Sequence, residues 1–146
     1  MKQTPLLEFE SSAFAVIPGE DEETNPGIYG KALAQWLAEQ LRAAGFFPGK
    51  VIAEDFGWCV PIASDTHSLY VVCASTGEKP DQWRVFAFAE GGVIDRLFGN
   101  DQRSSLLAPL FTGIRKCLES ASIIHGLREE VPNRSGIANT LRANGK

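Results

Sequence analysis

The clearest pattern of polar and apolar positions along the chain predicts an amphipathic helix over residues 26–44. Apolar side chains recur there at three- and four-residue steps: Tyr29, Leu33, Trp36, Leu37, Leu41 and Ala44. Asn25 suits the N-cap position, and Pro26 suits the first helical position, where no intrahelical N–H bond is needed. Gly45 predicts the end of the helix.

Further patterns predict strands and a second helix. Alternation or strand-forming composition marks five segments: 6–17 (one or two strands), 51–62, 69–74, 83–89 and 123–131. Gly57 predicts a bulge or bend in one long strand, and a tight reversal at residues 56–57 is the alternative. A second apolar stripe follows Ser104 or Ser105 and predicts another helix. The order predicts an α+β fold, with an antiparallel sheet of four to five strands and two main helices packed on one face.

Length and charge indicate one acidic domain. The chain has 146 residues, and we assign residues 1–131 to a single α+β domain. Residues 132–146 show no apolar periodicity, so we expect a mobile C-terminal tail. The net charge is −4, and the tail holds three bases and no carboxylate, which leaves −7 on residues 1–131. This balance, without a basic stripe, argues against a nucleic-acid partner. The acidic run over residues 20–23 predicts a solvated loop.

Cysteine use and hydropathy indicate a cytoplasmic protein. Cys59, Cys73 and Cys117 have no CxxC spacing and lie within apolar patterns, as expected for reduced, buried thiols. The first residues lack the apolar core of a signal peptide. No apolar run approaches the roughly 20 residues that a membrane span needs, so we expect no membrane partner.

The sequence lacks the common motifs for phosphate binding, zinc-dependent hydrolysis and serine hydrolysis. His67 and His125 are the only histidines, and neither has a Cys or His neighbour at a metal-ligand spacing. We therefore expect no metal and no cofactor, and no catalytic residue can be assigned from a motif.

The remaining candidate is the segment 54–58, where two carboxylates precede two aromatic residues. Adjacent strand residues point to opposite faces, so one carboxylate is expected to face the helices, where it needs a partner. Arg84, within an otherwise apolar segment, is the obvious partner. The pair is either structural or part of a pocket with an aromatic wall. The candidate ligand or partner surface therefore has six residues: Glu54, Asp55, Trp58, Tyr29, Trp36 and Arg84.

The pattern NPGxxGxxLAxWL over residues 25–37, followed by EDFGW over 54–58, resembles a group of small bacterial proteins. In that group a similar helix precedes an EDWGW strand, and an LFG sequence, here residues 97–99, leads into the second helix. The resemblance covers roughly residues 23–120. Phe56 departs from the pattern, where the group has Trp. The resemblance implies no activity, because no reaction is assigned to the group.

Three functions are compatible with these features. The first is a small cytosolic binding or regulatory module, comparable to an inhibitor or immunity protein, that binds an unknown protein or small ligand through an acidic surface. The second is a small enzyme with Glu54 or Asp55 as general acid or base in an aromatic-lined pocket. The third is a homo-oligomeric ligand carrier, with a homodimer suggested by the apolar segment 83–89 and the tail. The absence of catalytic motifs favours the first. A carboxylate-lined cavity would favour the enzyme.

Overall fold

The structure, a computed structural model, describes residues 2–90 and 103–131. Its seven strands are β1 (Lys2–Gln3), β2 (Leu6–Glu10), β3 (Ile52–Glu54), β4 (Gly57–Ile62), β5 (Ser68–Ser75), β6 (Gln82–Glu90) and β7 (His125–Glu130). The two helices are α1 (Lys31–Ala43) and α2 (Arg103–Glu119), and a short 3₁₀ turn spans Glu20–Glu22. Neither helix combines the length and the apolar character that crossing a membrane would require in these two ranges.

The strands form one antiparallel sheet in the spatial order β3-β4-β5-β6-β2-β7. β1 and β2 follow each other along the same edge of β6, where Gln3 pairs with Phe88 and Leu7 with Val85. The seven strands therefore occupy six positions across the sheet. The predicted α+β class, with two helices and an antiparallel sheet, is confirmed. The predicted count of four to five strands is too low because residues 51–62 form two strands and because β1 lies outside the predicted segments.

Both helices bury their apolar stripes against the same face of the sheet. Leu33, Leu37 and Leu41 of α1 are fully buried, as are Leu110 and Ile114 of α2. They form one cluster with alternate residues of the central strands: Trp58, Val60, Val71, Cys73, Trp83 and Val85. Each such side chain contributes about 1.5–3 kcal/mol when fully buried, so this layer is the main core.

The opposite face of the sheet has an apolar part and a charged part. Alternate residues of β2, β4, β5 and β6 form a second buried cluster: Leu6, Cys59, Val72, Phe86 and Phe88. Toward β7, the ion pairs Arg84–Glu8 and Arg128–Glu10 take its place. β6 is apolar at nearly every position because it lies inside the sheet with buried residues on both faces.

Helix α1 begins at Lys31, so the predicted start at residue 26 is wrong. Asn25 lies in a turn, and its side-chain amide donates to the Asp55 carbonyl at 2.8 Å. Gly30 is the N-cap residue, with φ at +148°. A Cβ at Gly30 would lie 2.6 Å from the Cys73 carbonyl oxygen, so only glycine permits this close approach to β5. Tertiary packing thus overrides the local preference of Asn and Pro for a helix start.

Residues 52–62 form a tight hairpin, so the prediction of one bent strand is wrong and its alternative, a tight reversal, is confirmed. Glu54 pairs with Gly57 on either side of the two-residue turn. Gly57 has φ at +154°, and a Cβ there would come within 2.9 Å of the Cys73 carbonyl oxygen. The reversal therefore needs glycine at the point where the chain passes β5.

The segment before α1 also differs from its prediction. Residues 14–17 form no strand, and Val16 and Ile17 are 45% and 56% exposed. Glu20, expected in a solvated loop, is buried because its carboxylate binds backbone N–H groups at the start of α1. The predicted tail over 132–146 and the LFG sequence over 97–99 lie outside the described residues.

Candidate functional site

The three aromatic candidates lie on the side of the sheet that the helices cover. Trp58 is 2% exposed and belongs to the main core. Trp36 packs against Phe14, with ring centroids 5.5 Å apart. Tyr29 lies just before α1 and packs at the edge of the same core. Trp58 lines a cleft beside α1, whereas Tyr29 and Trp36 do not, so the three do not form the predicted common wall.

The charged candidates lie elsewhere, and the expected pairing of Arg84 with Glu54 or Asp55 is wrong. Arg84 pairs with Glu8, with two guanidinium nitrogens each 2.7 Å from one carboxylate oxygen. The register of β2 and β6 places these two residues directly opposite each other. Glu54 is separated from Arg84 by β4 and β5, and Asp55 lies in the hairpin turn. The six candidate residues therefore do not form a single site.

Two exposed acidic loops meet at one end of the molecule. The side-chain amide of Asn25 donates to the Asp55 backbone carbonyl at 2.8 Å, which joins the loop before α1 to the β3–β4 turn. Four carboxylates on these loops are exposed and form no ion pair with any residue that the structure describes. This set is named the acidic end: Glu22, Glu23, Glu54 and Asp55.

A buried glutamate holds the first of these loops in place. Glu20 is 5% exposed, and one of its carboxylate oxygens accepts from the Gly30 N–H at 2.8 Å and the Lys31 N–H at 3.0 Å. Its other oxygen accepts from the Ile17 N–H at 3.3 Å. A carboxylate at this position satisfies free helix N–H groups and interacts favourably with the helix dipole. Sequence reasoning missed this cap because capping patterns are sought within the residues next to the helix.

Asp21 and Thr24 fix the remainder of the loop. The Asp21 carboxylate accepts from the Gly27 N–H at 2.8 Å, and the Thr24 hydroxyl donates to the Ile28 carbonyl at 2.7 Å. The Asp21 charge also raises the pKa of the Tyr29 hydroxyl, 3.4 Å away, above its usual value. Asp21 is thus engaged within the loop, while its neighbours in the acidic end face solvent.

A cleft of about 860 Å³ lies between α1 and the β3–β4 hairpin, next to the acidic end. Its charged lining residues are Glu23, Lys31, Glu39, Arg42 and Lys50. Arg42 pairs with Glu39 at 2.5 Å, across one turn of α1. The Lys31 ammonium lies 5.2 Å from the centroid of Trp58, within the range of a cation–π interaction. The cleft therefore combines flexible cations with an aromatic side chain.

The described residues offer binding groups but no assembled set for nucleophilic or metal chemistry. All three cysteines are free and buried, as predicted, and burial raises the pKa of Cys59 to about 12. His67 is buried beside Thr66, with its ring nitrogen 2.6 Å from the hydroxyl. Within residues 2–90 and 103–131, no three His, Cys, Asp or Glu side chains gather in a way that could hold a metal ion.

Comparison with known proteins gives no family assignment. No protein-family model, curated protein or solved structure matches this chain. The resemblance carried by residues 25–37 and 54–58 remains a prediction. Function is therefore argued from the residues of the site.

Proposed function

We propose that this protein is a small binding module whose acidic end recognises a basic surface of a partner protein. The observation that carries the proposal is the hydrogen bond from Asn25 to the Asp55 carbonyl. It brings carboxylates from two separate parts of the chain onto one surface. An inhibitor or immunity protein would use such a surface to bind a basic target.

The carboxylates of the acidic end can bind a partner without breaking an ion pair to any residue that the structure describes. Glu8, Glu10 and Glu39 differ, because each is engaged by an arginine of the same chain. The hydrogen bond from Arg128 to the Glu10 carboxylate, at 2.8 Å, holds the pKa of Glu10 below its usual value. Like charges on two loops that touch repel each other, and a basic partner relieves this repulsion and is steered toward them.

The acidic end is also held in a defined shape before any partner arrives. Glu20 anchors one side of the loop to α1, Thr24 anchors it internally, and Asn25 connects it to the hairpin. Binding to a preorganised surface avoids part of the entropy cost of ordering loops at an interface. The loops therefore support recognition better than mobile acidic segments would.

The positions of Glu54 and Asp55 do not favour the enzyme alternative. Glu54 and Asp55 are exposed at the hairpin turn and do not line the cleft that contains Trp58. A general acid or base needs a position beside a bound substrate, in surroundings that adjust its pKa. An exposed turn provides neither.

The carrier alternative loses its main support as well. The apolar segment 83–89 suggested a face that needs covering by a second copy. In the structure this segment is β6, which lies between β5 on one side and β1 and β2 on the other. Its apolar residues are buried within the described chain, so a homodimer is not required to explain them.

The proposal can be tested by titrating the protein with a hexalysine peptide at low ionic strength. The variants Glu22→Gln/Glu23→Gln and Glu54→Gln/Asp55→Asn each change the net charge from −4 to −2. We expect each to weaken binding about fivefold, because two surface charge contacts are lost. Binding by the wild type should also disappear at about 0.5 M salt, where exposed charges are screened.

The matched control is Glu78→Gln/Asp81→Asn, which makes the same charge change in the exposed β5–β6 loop. It should weaken hexalysine binding by less than about twofold, the small effect of net charge alone. Equal weakening by all three double variants would mean that the peptide responds only to net charge, and the acidic end would not be a recognition surface.

A further inference from the structure

The cleft between α1 and the β3–β4 hairpin has cations that no carboxylate of residues 2–90 or 103–131 pairs with. Lys31 and Lys50 both line it, and neither forms an ion pair with another described residue. Arg42 and Glu39 neutralise each other at 2.5 Å, which leaves Glu23 at the rim as the one opposing charge. The cleft therefore carries a local excess of positive charge in a chain whose net charge is −4.

Trp58 gives the cleft an aromatic wall with an unused donor. Its indole N–H is buried and has no hydrogen-bond acceptor in the described part of the chain. A buried donor without an acceptor is costly, and an oxygen atom of a bound ligand would satisfy it once the side chains that cover Trp58, which is 2% exposed, move aside. The Lys31 ammonium lies over the same ring, so one ligand group can contact both.

The apolar part of the lining defines the rest of the ligand. Ala38 of α1 and Val51 and Ala53 at the hairpin contribute aliphatic surface between the charged residues. The volume of about 860 Å³ is within the range of pockets that enclose small organic ligands. Such pockets combine apolar walls with a few polar groups that orient the ligand.

We propose that this cleft binds a small organic anion, with its carboxylate or phosphate held by Lys31 and Lys50 and its apolar body against Trp58. The site is separate from the protein-binding role, because neither lysine belongs to the acidic end. Glu23, which lines the cleft and belongs to the acidic end, places the two sites side by side. A bound anion would also neutralise Lys31 and Lys50, which would otherwise repel a basic partner at the neighbouring acidic end.

The fluorescence of Trp58 provides the test. Phenyl phosphate and benzoate are titrated at constant ionic strength, with excitation selective for tryptophan, and benzyl alcohol serves as the neutral analogue. We expect a saturable change with at least one anion and none with the alcohol. Trp58→Phe should abolish the change, because the other two tryptophans lie outside the cleft lining.

Lysine variants identify the binding groups. Lys31→Met and Lys50→Met should each weaken anion binding about tenfold or more, the effect expected for one lost charge-assisted contact. Lys79→Met, in the β5–β6 loop, is the matched control and should leave affinity unchanged. Lys50 is exposed and forms no bond with a described residue, so its variant remains informative even if Lys31→Met perturbs α1.

Three results would overturn the proposal. The first is the absence of a saturable response to either anion at millimolar concentration. The second is equal binding of benzyl alcohol, which would indicate an apolar pocket without charge recognition. The third is equal weakening by the Lys79 variant, which would indicate a net-charge effect. None of these results depends on hexalysine binding, so failure here is distinguishable from failure of the acidic end.

Discussion

Replacing Glu20 with alanine should destabilise the protein by about 2–4 kcal/mol. The variant removes the acceptor for the buried Gly30 N–H and the partly buried Lys31 N–H, at 2.8 and 3.0 Å. A buried donor without an acceptor costs about 1–3 kcal/mol, and loss of a helix N-cap costs about 0.5–2 kcal/mol. Two such donors give the expected range, and the 3.3 Å bond to Ile17 adds little.

Urea unfolding followed by circular dichroism measures this loss. With a slope of about 2 kcal/mol per molar urea, the midpoint should fall by about 1–2 M. Glu23→Ala is the matched control, because Glu23 is exposed in the same loop and its side chain makes no bond to a described residue. Its effect should stay within about 0.5 kcal/mol. Glu20→Gln retains one acceptor oxygen, so its unfolding midpoint should lie between those of Glu20→Ala and Glu23→Ala.

Equal midpoints for the Glu20 and Glu23 alanine variants would refute the reasoning. In that case the buried carboxylate would not hold the start of α1, and the loop that carries part of the acidic end would lack its main anchor. If Glu20→Ala lost stability but its folded state kept the helix content of the wild type, the loss would not come from the start of α1.

Three further predictions follow from particular contacts. Arg84→Met should cost about 2–3 kcal/mol, because buried Glu8 loses both 2.7 Å contacts with Arg84 and keeps only Arg128 at 3.7 Å, and double-mutant cycles in urea should show strong coupling to Glu8 and none to Glu54. Alkylation of Cys59 in the native protein, followed by mass spectrometry at about pH 8, should be far slower than in the urea-unfolded protein, because burial blocks access and its raised pKa leaves very little thiolate; equal rates in the two states would contradict its burial. Gly30→Ala should cost about 2–4 kcal/mol through backbone strain and contact with β5, and a midpoint like that of the wild type would contradict it.

The sequence predicts those elements whose signals are local. The apolar stripe of α1 and its end before Gly45 follow from helical periodicity, and the structure ends the helix at Ala43. Strands β5 and β6 follow from continuous runs of strand-forming residues, and their predicted ranges lie within the observed ones. In each case, the residues that decide the structure are neighbours along the chain.

The errors arise where distant parts of the chain meet. The partner of Arg84 is Glu8, 76 residues away, and the register between β2 and β6 decides that pairing. The start of α1 moves because Gly30 must pass close to β5 and because Glu20 supplies the cap. Neither contact leaves a pattern in the sequence, because capping and pairing rules describe only short separations.

The distinction between local signals and contacts of distant residues also applies to the candidate site. The segment 54–58 lies in the β3–β4 hairpin, and alternation along the paired strands places Trp58 and Glu54 on opposite faces. The acidic end depends on the bond from Asn25, a residue that the sequence assigned to a helix cap. The sequence therefore identified acidic residues in both loops but could not show that the loops meet.

The most direct test of the acidic end is a map of where a basic ligand binds. Backbone amide NMR spectra of the protein would be recorded during titration with hexalysine at low ionic strength. The proposed function predicts that the largest shifts occur together in residues 21–25 and 53–57, with the same apparent affinity in both loops. The largest shifts in residues 76–82, or shifts of similar size at all exposed carboxylates, would contradict it.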